Sequence, residues 1–135
     1  MPGIAEFEGD WTVEKRIEDR RAGEVLELRG VVRFVADGDV WRVEETGQLI
    51  APGRPALETR RVYLWRAAGP EIEVLFEDGR PFHSFLPEGQ PQARHDCAPD
   101  LYRVSYDFAG WPEWHATWTV SGPRKDYTMA ATHRR

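Results

Sequence analysis

The chain has 135 residues, 41% hydrophobic and 30% charged, with a formal net charge of -5. That length fits a single domain, residues 1–135, around one core. Arg residues are interleaved with Glu and Asp and no basic cluster sits on a predicted helix, which excludes nucleic acid as the main partner because duplex binding draws on phosphate neutralisation.

Taken in chain order, the sequence shows short alternating segments separated by turn chemistry, and almost no helical period. The first predicted strand is Asp10–Ile17, ending in the polar run 18–23. The second is Glu24–Val35, followed by Asp37-Gly38-Asp39, and the third is Val40–Ile50, ending at Pro52-Gly53-Arg54-Pro55. Leu57–Arg66 and Ile72–Glu77 follow, the latter running into Asp78-Gly79, a two-residue hairpin signal. Pro81–Leu86 and Gln92–Cys97 are shorter, and Leu101–Phe108 and Glu113–Val120 flank Gly110-Trp111-Pro112. Arg124–His133 is the last, after Ser121-Gly122-Pro123.

About ten strands on short loops predict an all-β antiparallel up-and-down meander, and rolling it into a barrel removes its edges. A barrel of that size holds a small ligand. The alternative is a two-sheet sandwich with a dry core.

Period-two alternation proposes the interior. Tyr102, Val104, Tyr106 and Phe108 share one face, as do Trp114, Ala116, Trp118 and Val120, and Tyr127, Met129, Ala131 and His133. Trp11, Val13, Lys15 and Ile17 form the inward face of the first strand, with Trp41, Val43 and Glu45 on the third. Arg61, Tyr63 and Trp65 compete with Val62 and Leu64 on the fourth, and Phe82 and Ser84 compete with His83 and Phe85 on the sixth. On the seventh, Ala93, His95 and Cys97 are expected inside.

Such a lumen mixes rings with His83, His95, Lys15, Glu45 and Arg61. It suits an aromatic or conjugated ligand carrying a carboxylate or hydroxyl. The expected ligand contacts are Arg61, Tyr63, His83, His95, Tyr102, Tyr106, Trp118 and Tyr127, with Arg61 facing an anionic group. A competing reading makes the protein a cofactor-free enzyme with His83 or His95 as acid or base. A third makes it a dry barrel working through its outer surface. His95 and Cys97, with His83 or Asp100, have the identities of metal ligands but no paired spacing, so no metal is expected.

The Met-Pro-Gly start lacks a basic segment ahead of an apolar run, so no signal peptide is expected. No apolar run nears the roughly 20 residues of a bilayer span. One cysteine, Cys97, excludes an internal disulfide and suits a reducing, cytoplasmic setting. A homo-oligomer stays open.

Gly9-Asp10-Trp11 resembles the Gly-x-Trp opening of calycin-type barrels, lipocalins and fatty-acid-binding proteins. That resemblance implies a late basic residue over the Trp, here Arg134 or Arg135. A wider match runs through Phe7-Glu8-Gly9-Asp10-Trp11, Tyr63-Leu64-Trp65-Arg66, Asp78-Gly79-Arg80-Pro81-Phe82-His83, the stretch from His95 to Tyr102, and Gly122-Pro123-Arg124-Lys125-Asp126-Tyr127. Together these resemble an uncharacterised bacterial family, domain of unknown function 6314. The resemblance implies a calycin-like barrel and carries no activity. Some barrels of this kind bind haem through one His, which would make His83, His95 or His133 the ligand. Others decarboxylate or isomerise small aromatic acids, an analogy of fold only.

Overall fold

A computed structural model describes residues 2–135. A 3-10 turn, Ile4–Phe7, precedes ten strands: β1 Gly9–Asp19, β2 Glu24–Asp37, β3 Val40–Ile50, β4 Leu57–Ala68, β5 Glu71–Phe76, β6 Pro81–Phe85, β7 Gln92–Cys97, β8 Asp100–Asp107, β9 Trp114–Gly122 and β10 Lys125–Arg134. They form one sheet in the order β6-β5-β4-β3-β2-β1-β10-β9-β8-β7, and every adjacent pair is antiparallel. The fold is a nearly closed ten-stranded barrel, calycin-like as the sequence motifs implied. Among the described residues no helix is long and apolar enough to cross a membrane.

Closure is incomplete at one place. The first and last strands of the chain zip together, Val13 opposite His133, but β6 and β7 stand at the two ends of the hydrogen-bonded order. The junction between them is filled by rings: His95 lies 5.1 Å from Phe82 and 5.7 Å from Phe76, centroid to centroid. The β8 ladder outgrows β7, because the backbone N–H groups of Tyr106 and Phe108 donate to the carbonyls of Pro91 and Gly89 in the preceding loop. Full closure was expected from the need to remove edges; here proline at the start of β6 and ring packing protect them instead.

The sixth strand, ambiguous by alternation, is resolved by a β-bulge. Val74 pairs with His83 and Leu75 with Pro81, so Phe82 is an extra residue opposite no partner. A bulge breaks period two, and Phe82, His83 and Phe85 are all buried. The β5–β6 turn is also longer than two residues. It closes where Phe76 N–H donates to Arg80 C=O, with Asp78 accepting from Arg80 N–H at 3.0 Å.

On β4, Thr59, Arg61, Tyr63 and Trp65 face the lumen. Val62 and Leu75 face outward yet are buried, at 9% and 3% exposure. Around them run the ion pairs Arg60–Glu44, Arg66–Glu73 and Arg42–Glu77, whose aliphatic stems shield apolar surface. That outer cover is why both faces of β4 carry hydrophobic residues. Cys97, expected inside, is exposed at the end of β7.

One end of the barrel is plugged. Phe7, delivered by the 3-10 turn that the sequence reading missed, is fully buried and meets the rings of Trp11, Phe34, Trp65, Phe108, Trp111 and Trp114. Trp11 Nε1 donates to Phe7 C=O at 2.8 Å. The Arg135 guanidinium sits 4.2 Å from the Trp11 ring and donates to the carbonyls of Glu6 and Glu8. Of the two basic residues implied by the calycin resemblance, Arg135 is therefore the one over Trp11.

Where β2 and β3 cross most closely, Gly30 faces Gly47. A Cβ at Gly30 would stand 2.1 Å from the Thr46 carbonyl oxygen, a backbone atom with little freedom to move. Gly30→Ala is expected to destabilise the fold by roughly 3 kcal/mol, at the upper end of overpacking. Val31→Ala, next to it and facing out, should cost at most about 1 kcal/mol. Arg135→Ala should cost about 1–2 kcal/mol through the lost cation–π contact and the two released carbonyls. Urea unfolding of the three variants measures all of this.

Candidate functional site

With one end plugged, the barrel encloses a lumen of about 560 Å³. Every strand except β7 contributes wall residues. The plugged end holds Phe34, Trp65, Trp114 and His133; Asp19, Leu49, Thr59, Tyr102, Lys125 and Tyr127 lie where the strands reach the open mouth. Such a volume fits a small, largely apolar molecule with a few polar groups to orient it.

The structure brings Arg61, Tyr63, His83, Tyr102, Tyr106, Trp118 and Tyr127 onto one wall surface. His95 is not part of it. It stands behind Phe82 in the β6–β7 junction, against Phe76 and Tyr102. The bulge explains the displacement: Phe82, swung inward, takes the place His95 would have faced. The carboxylates near His95 in sequence are engaged elsewhere, Asp96 with Arg94 at 3.0 Å and Asp100 with Lys125 at 3.2 Å.

The lumen contains three polar groupings. On one wall, Lys15 and Glu45 form an ion pair of 2.7 Å with both side chains about seven-eighths buried, at 13% and 12% exposure. Opposite stand His83 and Tyr106, since β1 and β6 are five places apart in a ring of ten. His83 Nε2 lies 2.7 Å from the Tyr106 hydroxyl. Burial, and secondarily the nearby His95, push the His83 pKa down to about 4, while burial pushes that of Tyr106 upward. At neutral pH the pair is an uncharged imidazole and an uncharged phenol. It offers hydrogen bonds and can accept a proton, but it holds none to give as an imidazolium.

The third grouping is at the mouth. Lys125 donates to the Tyr102 hydroxyl at 2.8 Å and pairs with Asp100, and these contacts raise its pKa, the phenol foremost. Arg61 reaches the same region. Burial raises the Tyr63 pKa, and the Arg61 charge opposes that rise. Among the described residues no carboxylate lies within ion-pairing distance of Arg61, whereas Lys15 and Lys125 are both paired.

Four wall residues also keep a buried polar atom without a partner among the described residues: Thr59 Oγ1, His83 Nδ1, Trp114 Nε1 and His133 Nδ1. Buried polar groups are nearly always paired, and each exception has a local reason. His133 lies flat on Trp114, 3.6 Å apart with the planes 3° from parallel. Burial first, then the Lys15 charge, lowers its pKa to about 3. Of the three imidazoles considered as iron ligands, His83 contacts Tyr106 through Nε2, His133 stacks on Trp114 and His95 lies in the junction. Among the described residues no three His, Cys, Asp or Glu side chains converge as a metal site.

Thr59 shares the parity of Arg61, Tyr63 and Trp65, whereas sequence reasoning missed Asp19 and Lys125 as wall residues. The signal was there for both. Asp19 continues the Lys15, Ile17 alternation one step further, and Lys125 has the parity of Tyr127 and Met129.

The sequence matches a family of unknown function (DUF6314) over residues 7–135, and the chain belongs to that family. No curated protein matches it. Among solved structures, the S-type phycobiliprotein lyase CPES from Guillardia theta superimposes with a TM-score of 0.64 at 10% identity, covering 97% of this chain and 89% of that one. At that identity the likeness is one of fold.

Two histidines that stay neutral in the folded protein make stability depend on pH. Their folded pKa values, about 4 and about 3, lie below the ordinary value of 6.5, so between pH 6.5 and 4 the unfolded chain binds protons that the native one does not. Stability is fully retained above pH 6.5 and falls with acidification, on the order of 3 kcal/mol for His83 by pH 4. Urea titrations between pH 7 and pH 5, above most carboxylate titration, should show this decline. His83→Gln should flatten the slope; an unchanged slope would contradict a neutral buried His83.

Proposed function

We propose that this member of a family of unknown function binds a small, flat, largely apolar or aromatic anion inside its barrel. The observation that carries this reading is a plugged lumen walled by rings in which Arg61 is the guanidinium without a carboxylate partner. A cation beside half-buried phenols, with no carboxylate partner among the described residues, favours an anionic guest group. The aromatic wall supplies the remaining affinity by stacking and burial: Phe82 stacks on Trp118 and Tyr63, leaving parallel planes that accept another ring. The structural neighbour named as a phycobiliprotein lyase is in keeping with a barrel that handles a small molecule.

The cofactor-free enzyme reading keeps the His83–Tyr106 pair as its basis. Binding is the better supported function, because neither His83 nor Tyr106 has a carboxylate partner and His95 is outside the lumen. The lone cysteine suits a reducing compartment, and a cytoplasmic binder is the reading we adopt.

2-Naphthoate and its uncharged analogue naphthalene-2-carboxamide test this. The carboxylate should bind saturably, one per chain, and raise the melting temperature. Arg61→Leu should weaken it about 10-fold or more, the size of one lost charge-assisted hydrogen bond, and leave the carboxamide almost unaffected. Equal binding of the acid by wild type and variant, or no saturable binding of aromatic acids at all, would count against the reading.

A further inference from the structure

The His83–Tyr106 pair has a polarity that follows from where its unshared atoms lie. Two arrangements satisfy the 2.7 Å contact. In the first, the Tyr106 hydroxyl donates to His83 Nε2, and the imidazole proton sits on Nδ1. That atom is buried and has no partner in the protein, so this arrangement seals an N–H donor in the wall. In the second, Nε2–H donates to the Tyr106 oxygen, Nδ1 is left as a bare acceptor, and the Tyr106 proton is free to point elsewhere. The second arrangement leaves an under-satisfied acceptor at Nδ1, which is tolerated more often than a buried orphan N–H, and an O–H that is satisfied only by an acceptor inside the lumen. Tyr106 lines the lumen, so its proton is available to a guest.

We infer that Tyr106, held by His83, is a hydrogen-bond donor directed at a guest molecule, and that the ligand carries a neutral or anionic oxygen acceptor, such as a conjugated carbonyl, at its inner end. The inference rests on the lumen-binding reading and deepens it. The ligand class becomes a flat molecule with an anionic group for Arg61 near the mouth and an acceptor oxygen deeper in. The surroundings agree. The Tyr106 ring is fixed by stacking on Phe85 at 4.2 Å and on Phe108 at 5.7 Å, and His83 is braced edge-on by Phe82 and Trp118. Trp114, whose Nε1–H is a second unpartnered donor, lies beside Tyr106 with ring centroids 6.4 Å apart. A rigid donor in a water-poor wall recognises an oxygen more strongly than one in solvent. Because burial holds Tyr106 in its protonated form, it remains a donor over the whole neutral range.

Two measurements test this. Long-range proton–nitrogen correlation spectra of the 15N-labelled protein, with His83 assigned by comparison with His83→Gln, report which ring nitrogen bears the proton. The Nε2–H form is expected; a proton on Nδ1 overturns the inference whether or not any ligand binds. Second, 6-acetyl-2-naphthoate should bind about 5- to 10-fold tighter than 2-naphthoate, and Tyr106→Phe should bring the ratio of the two affinities to about one. Retention of the advantage in Tyr106→Phe, with circular dichroism confirming an intact fold, also overturns it. Failure of both probes to bind counts against the lumen-binding reading, and the spectrum then decides the polarity of the pair by itself.

Discussion

Phe7 is the side chain on which the architecture turns. A ten-stranded ring is wide, and without something across one end its interior would be a through-channel. The 3-10 turn ahead of β1 places Phe7 where its ring meets residues from β1, β2, β4, β9 and the segment after β8. Arg135 lies over Trp11 and holds the carbonyls of Glu6 and Glu8. Residues ahead of β1 and after β10 thus close the same end of the barrel. The antiparallel β1–β10 pairing allows it, since it brings residue 13 beside residue 133.

Above that floor the wall changes character in an ordered way. Aromatic rings fill the bottom, a charged pair faces an uncharged imidazole–phenol pair in the middle, and basic and phenolic groups gather toward the mouth. The Lys15–Glu45 pair balances itself, which keeps the mid-lumen near neutrality, while Arg61 and Asp19 at the mouth have no ion-pair partner among the described residues. Polar groups held in a water-poor wall interact more strongly than they would in solvent. A guest in this lumen would therefore be oriented from both ends.

Much of this was legible in the sequence, for a plain reason. Most of the wall-forming strands keep period two in their inward residues, so Trp114, Ala116, Trp118 and Val120, or Tyr127, Met129, Ala131 and His133, could be assigned to the lumen by parity alone. Parity fails where the backbone departs from it. One extra residue at Phe82 puts neighbours on the same side and displaces His95. Parity also misleads where ion pairs cover an outward face, as at Val62 and Leu75. The 3-10 turn was invisible because Ile4–Phe7 is too short to show a period, although Glu6 accepting from Gly3 N–H supplies a local capping contact. Which of two hydroxyl and imidazole protons is shared is a matter of partners in space, and no spacing along a chain encodes it.

The unzipped junction between β6 and β7 has a mechanical meaning. Everywhere else the girth of the tube is set by backbone ladders whose length cannot change without breaking bonds. Along this one line it is set by Phe76, Phe82 and His95 resting on one another. Rings can slide by fractions of an ångström while staying in van der Waals contact, so the cylinder has a compliant hoop. An oversized occupant would press on that line first, with His83, next to Phe82 in the same strand, directly beside it.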